Sequence, residues 1–199
     1  MSIVLTHGYY LQEDPTEAKI MKPYAPLGLL YLSGYLNEQK IQNHVFDATF
    51  SNRQEQLYFI ENKKPKLVAI YTNLMTKINV IKLVKILLSE EKYGFPKIAL
   101  GGPDVTYNLE NYLKTGLHYI IIGEGEQTIT ELHQAISNKT DITKVTGIAY
   151  LENDQLTKTP PRVKLKDLST LPLPNREGIA IEKYLDTWKT HHGKSSMTI

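Results

Sequence analysis

The chain has 199 residues, a formal net charge of +2, 41% hydrophobic and 22% charged residues, which is enough for one sizeable domain plus an appendage of ordinary globular composition. Its near-neutral balance offers no basic face for nucleic acid, and the absence of cysteine excludes disulfides and thiolate metal sites. No apolar run is long enough to span a bilayer and "MSIVLTHGYY" lacks the pattern of an export signal, so a cytoplasmic protein with no membrane partner is expected.

Strand-like and helix-like runs then alternate. Ile3 to Thr6 reads as a first strand, followed by a long polar loop, "GYYLQEDPTEAKIMKPYAP". Leu29, Leu32, Tyr35 and Leu36 in "LGLLYLSGYLNEQ" have the spacing of one helix face. Val45-Phe46 is a short second strand ending at Asp47, and "QEQLYFIENKK" a helix. "LVAIY", Leu67 to Tyr71, is a continuous apolar run and reads as a strand buried on both faces. The helix "INVIKLVKILLSEE" and the strand Lys97 to Leu100 follow. Next come a short helix ending near Gly116, the strand Tyr119 to Ile122 and the helix "QTITELHQAIS".

Five strand–helix units predict a parallel sheet with right-handed crossovers and helices on both faces. The fold class is α/β, a doubly wound, flavodoxin-like (Rossmann-like) five-stranded parallel sheet of order 2-1-3-4-5. Residues 1–140 form this domain. Residues 141–199 are read as an appendage: a β-hairpin around Glu152-Asn153-Asp154, an extended Pro-rich connector, a short helix in "IEKYLDTWKTHHG", and a strand in "KSSMTI".

Ligands of such folds sit outside the carboxyl ends of the strands. The residues there are Thr6-His7-Gly8, Asp47, Thr72-Asn73-Leu74, Gly101-Gly102-Pro103 and Gly123-Glu124-Gly125-Glu126. The small residues at the last three ends let a large ligand approach the backbone. Each also has a plain structural reading: a turn at Gly101-Gly102, a helix start at Gly123 to Glu126, a strand-end cap at Thr72. The glycines match neither a dinucleotide nor a P-loop fingerprint.

Four segments together resemble one family. "KPYAPLGLLYLSGYL", "GGPDVT", "YIIIGEGEQTITEL" and "GIAY…PPR…DLSTLPLPNRE" are similar to the N-terminal cobalamin-binding domains of radical SAM proteins, which include the anaerobic magnesium-protoporphyrin IX monomethyl ester cyclase group. The resemblance covers essentially the whole chain. It implies a cobalamin (vitamin B12) binding module, not catalytic alone, that hands a base-off cobalamin to a radical SAM barrel in cis. S-adenosylmethionine and a 4Fe–4S cluster belong to that barrel, whose Cys-x-x-x-Cys-x-x-Cys motif follows a segment like "KSSMTI" in the family. The chain is therefore expected to be a piece of a longer methyltransferase or tetrapyrrole ring cyclase, cut before the iron–sulfur motif.

The resemblance also implies a slot for cobalamin's nucleotide tail. Side chains at Gly101 and Gly102 would block it, with Pro103 next to them. Thr72, Asn73 and Leu74 would flank it, a hydroxyl there being able to bond the tail's base. Gly123, Glu124 and Gly125 would line its other side, and Pro26, Leu27 and Gly28 would lie under the corrin edge. The Asp-x-His-x-x-Gly cobalt-ligand motif of other cobalamin domains is absent from "THGYYLQED". His7 and Tyr9 are the nearby candidates for the axial position. Two alternatives stay open: the same fold kept as a scaffold without cobalamin, or a flavodoxin-like domain binding flavin or a nucleotide.

Overall fold

In the computed structural model, which describes residues 2–197, five strands pair in parallel: β1 (Ile3–His7), β2 (Asn43–Phe46), β3 (Leu67–Tyr71), β4 (Lys97–Gly101) and β5 (Tyr119–Ile121). Their order is β2-β1-β3-β4-β5, the doubly wound order expected. The crossover helices are α1 (Pro15–Ile20), α2 (Leu27–Glu38), α3 (Arg53–Lys63), α4 (Lys77–Ser89), α5 (Pro103–Tyr107), α6 (Leu109–Leu113) and α7 (Glu126–Asn138).

Strand alternation divides the core in two. Val4, Val68, Ile70, Ile98, Leu100 and Ile120 pack on one face with Ile60 of α3, Val80, Leu83, Val84 and Leu87 of α4, and Tyr112 and Leu113 of α6. Ile3, Leu5, Leu67, Ala69, Ala99 and Ile121 pack on the other with Leu29 and Leu36 of α2 and Ile129 and Leu132 of α7. Burying each large aliphatic side chain contributes roughly 1.5–3 kcal/mol. Nearly all of these are fully buried, so both faces hold the helices firmly.

The sheet has seven strands, not five. The hairpin expected as an appendage, β6 (Ile148–Glu152) and β7 (Gln155–Lys158), continues the sheet, with β6 antiparallel to β5. The cause is the edge that β5 would otherwise expose, because unpaired backbone groups at a sheet edge invite a neighbour. Ile148, Ala149 and Tyr150 are buried by this pairing. Asn153 and Asp154, with φ of 49° and 63°, make the two-residue turn that such a hairpin requires.

Two short helices lie where no helix was expected. In α1, inside the supposed polar loop, the Asp14 carboxylate caps the amides of Thr16 and Glu17, with Pro15 in the first turn. This arrangement could be read from "DPTE". In α5, Pro103 starts a single turn and a half directly after Gly102.

After β7 the chain is not simply extended. It crosses the outer face of α2, where the Asn175 amide donates to the Leu30 carbonyl at 2.9 Å and the Asn175 side chain donates to Ser33 Oγ at 2.9 Å. It contains two short 3-10 turns and ends in α8 (Ile181–His192). Residues 194–197 carry no strand, and the last two residues of the strand expected in "KSSMTI" lie outside the described residues. Among the described residues no helix is long and apolar enough to cross a membrane.

His118, just before β5, gives the fold a pH dependence. Its Nδ1 accepts the Ile98 amide at 3.2 Å. Burial, aided by the Lys97 charge, pushes its pKa down from 6.5 to about 4. A group whose folded pKa lies below its unfolded value contributes fully above the unfolded value, and that contribution is lost as pH falls. His118→Asn keeps an acceptor for Ile98 but removes the titration. Denaturant unfolding should therefore show a flatter stability profile for His118→Asn between pH 6.5 and 4 than for the parent.

Candidate functional site

A slot opens between the sheet and the α2–α7 pair where β3 and β4 carry small residues on that face. On β3 the residues facing α2 and α7 run Leu67, Ala69, Tyr71, and on β4 they run Lys97, Ala99, Gly101. Ala69 pairs with Ala99, so two small residues meet in register, and Gly101, paired with Tyr71, adds no side chain of its own. Gly28 opens the helix side, since a Cβ there would meet nothing within 4 Å. The result is a cavity of about 260 Å³ walled by Leu29, Leu32, Ala69, Ala99, Ile121 and Ile129, with glycines 28, 101, 102, 123 and 125 around it.

The two adjacent glycines have different roles. A Cβ on Gly101 would have only the Ile121 Cβ near it, at 3.9 Å, so a side chain there would extend into the slot. Gly102 has φ +126°, and a Cβ on it would overlap the Thr72 carbonyl oxygen. Only glycine permits that backbone conformation and that approach. Gly102 is thus required by the crossing of the β3 and β4 ends, whatever the slot holds. Gly123, with φ +84°, turns the chain out of β5 into the start of α7.

Of the residues singled out from sequence, the cavity brings together Gly28, Gly101, Gly102, Gly123, Glu124 and Gly125. Thr72 is fully buried but does not line it, and its hydroxyl lies 3.3 Å from Thr76 Oγ1. Asn73, Leu74 and Pro103 line a neighbouring shallow groove on the rim with Met75, Asp104 and Tyr107. Pro26 precedes α2 as its capping residue and Leu27 begins the helix; neither reaches the cavity wall. The Glu124 carboxylate accepts the Leu165 amide at 2.8 Å, tying the connector to the slot's edge. The apolar wall residues were missed. Their one local signal is the alanine placed mid-strand in "LVAIY" and "KIALG".

The loop after β1 presents no free imidazole. His7 is buried, its Nδ1 lies 3.2 Å from the Tyr9 amide, and its Nε2 lies 3.0 Å from Asp47 Oδ1 and 3.2 Å from the Ala48 amide. Both ring nitrogens are therefore engaged. The Tyr9 hydroxyl donates to Glu17 at 2.7 Å, and burial together with that carboxylate raises its pKa. Among the described residues no group of three or more His, Asp or Glu could hold a metal ion.

Asp47 also anchors α8. The Tyr184 hydroxyl donates to Asp47 Oδ2 at 2.6 Å and lies 2.9 Å from Thr49 Oγ1. Burial pushes the Asp47 carboxyl up, but the hydrogen bond and charge of His7, with Tyr184 and Thr49, outweigh it and hold it below 3.8. Its contribution is present above the ordinary carboxylate range and lost as pH falls through the folded value. Tyr184→Phe should cost about 1.5–3 kcal/mol at pH 7, the range for a hydrogen bond to a charged group. In urea melts the gap between parent and variant should close as the pH drops below 3.8.

A model of the B12 binding domain matches residues 17–133, more than half of the chain. An uncharacterized methyltransferase of Pyrococcus horikoshii is 27% identical over 180 residues, covering 85% of this chain and 38% of that protein. The anaerobic magnesium-protoporphyrin IX monomethyl ester cyclase of a Synechocystis species is 30% identical over 147 residues, covering 72% of this chain and 30% of that one. The chain thus spans about a third of the length of these curated relatives. Among solved structures, the cobalamin-dependent S-adenosylmethionine radical enzyme OxsB with aqua-cobalamin and S-adenosylmethionine bound superposes with a TM-score of 0.79. It is 16% identical and covers all of this chain and 26% of that one. The radical S-adenosylmethionine methyltransferase TsrM of Kitasatospora setae, with cobalamin and a 4Fe–4S cluster, gives 0.64 at 17% identity, covering 89% and 32%. At these identities the two structures show a shared fold.

Proposed function

Because the chain belongs to the B12-binding domain family, we propose that it holds cobalamin with the base detached from cobalt and presents it to a radical SAM domain of the same protein. The observation that carries this reading is the apolar slot at the strand ends, set where glycine and alanine replace larger side chains. The nucleotide tail enters the slot beside Gly101, and the corrin is met by the rim around Gly28, Tyr71 and Gly123. Cobalamin, when bound, supplies a cobalt centre able to carry a methyl group or accept an electron. The chain's residues bind and orient it and keep water from the tail. With both His7 nitrogens engaged, the loop after β1 offers cobalt no imidazole.

The activity of a longer protein is proposed at the level of class: methyl transfer or tetrapyrrole ring closure with S-adenosylmethionine and an iron–sulfur cluster supplied by the further domain. A flavin or nucleotide reading has little support. The loop after β1, where a flavodoxin-like domain cradles phosphate, is filled by buried Tyr9, Tyr10 and Leu11.

Titration with hydroxocobalamin followed by gel filtration tests the proposal. A base-off spectrum that co-elutes with the protein is expected. Failure of retention both by this chain and by the chain joined to a radical SAM barrel would leave the fold as a scaffold without cobalamin.

A further inference from the structure

We infer that the slot selects among cobamides by the polarity of their lower base, accepting an apolar benzimidazole or phenol and discriminating against a purine. This rests on the reading of the slot as the site of the nucleotide tail.

The walls carry the inference. Leu29, Leu32, Ala69, Ala99, Ile121 and Ile129 present only hydrocarbon to the interior. Three of the polar side chains on or beside the slot are committed elsewhere. The Thr72 hydroxyl is with Thr76, the Glu124 carboxylate accepts the Leu165 amide, and Thr128 Oγ1 accepts from Arg162 Nε at 2.7 Å. The backbone of β3 and β4 is paired through Ala69–Ala99 and Tyr71–Gly101, and the Thr72 amide donates to the Gly101 carbonyl at 2.9 Å. Tyr71 and Glu126 also line the slot, and both reach solvent, at the end of β3 and the start of α7, so they can keep their water when the interior is filled.

Size sets the second condition. An apolar cavity of about 150 Å³ stays dry and binds benzene. At about 260 Å³ this slot has room for a bicyclic aromatic, so benzimidazole and adenine both fit by volume. They differ in hydrogen bonding. Adenine carries an exocyclic amine and additional ring nitrogens that would leave water and find no partner in these walls, and a buried polar group without a partner is costly. An apolar pocket rejects an isostere that adds a polar group by no more than about a hundredfold, which sets the scale of the selectivity.

The test is equilibrium binding of four corrinoids to the chain, followed by visible absorbance: cobalamin, p-cresolyl-cobamide, adeninyl-cobamide and cobinamide, which has no nucleotide tail. The p-cresolyl base cannot coordinate cobalt whereas adenine can, so the two are compared with the corrinoids reduced to four-coordinate cob(I), in which neither base is on the metal and no cost of detaching it enters. The expected result is p-cresolyl-cobamide at least tenfold tighter than adeninyl-cobamide, about 1.4 kcal/mol, with the adeninyl form close to cobinamide. Equal affinities for these two tailed forms, both well above cobinamide, overturn the selectivity and leave the slot as the tail's site. Equal affinities for all four overturn the slot reading and the inference with it, as does the absence of binding by any. Ala99→Ser places a hydroxyl in the wall and should narrow the ratio by favouring the adeninyl form, a gain that loss of folding cannot produce. A ratio unmoved by Ala99→Ser contradicts the claim that wall polarity sets it.

Discussion

Gly101→Leu should weaken cobalamin binding by at least a hundredfold, to the level of tail-less cobinamide, while the protein stays folded. The slot exists because β4 carries no side chain at its last position opposite Tyr71. A Cβ there would have ordinary room, the Ile121 Cβ lying 3.9 Å away, so the strand tolerates it, and the rest of the leucine side chain would occupy the space the base needs. Replacing a strand glycine also removes a conformational cost of roughly 0.5–1 kcal/mol, which offsets part of any crowding. Thermal melts should therefore stay within a few degrees of the parent, about 2–4 °C per kcal/mol for a chain of this size. Isothermal titration and melts on the same preparation check both halves. A variant that melts normally and binds cobalamin as the parent does would show that the tail lies elsewhere.

Gly102→Ala should do the reverse and lose stability first. Its φ of +126° lies where L side chains rarely go, and the added Cβ would overlap the Thr72 carbonyl oxygen. Backbone strain of that kind costs of order 1–3 kcal/mol, and the carbonyl belongs to a residue whose amide is bound to Gly101, so it cannot yield freely. A loss of about 3 kcal/mol or more is expected, a fall in Tm of roughly 6–12 °C. Gly102 therefore cannot serve as the position that separates ligand binding from folding, although the sequence alone placed it beside Gly101 as a residue whose side chain would block the slot.

These two neighbours show how far the sequence could be read. Strand order and helix placement follow from local patterns, and "LVAIY" announces a buried strand by itself. The addition of β6 and β7 does not, because it depends on how little of the edge β5 covers. The slot walls are harder still. Ala69 and Ala99 become a cavity only because register places them side by side, and an alanine in a strand has no local mark of that. His7 looked available for cobalt because Asp47, its partner 40 residues away, and the Tyr9 amide are brought to it only by the fold. α1 buries none of its residues, so the apolar periodicity that reveals longer helices was missing. Its capping residues were the sole signal.

Electron paramagnetic resonance of cob(II)alamin bound to the chain bears most directly on the tail's place. If the base has left cobalt for the slot, and neither His7 nitrogen is free, no nitrogen occupies the axial position. Each cobalt hyperfine line should then appear without further splitting. Lines split into three by an axial nitrogen would contradict the account, since either the base is still on cobalt and outside the slot, or a histidine binds where the structure offers no free imidazole; labelling the protein with ¹⁵N, which turns a histidine's triplet into a doublet, tells the two apart.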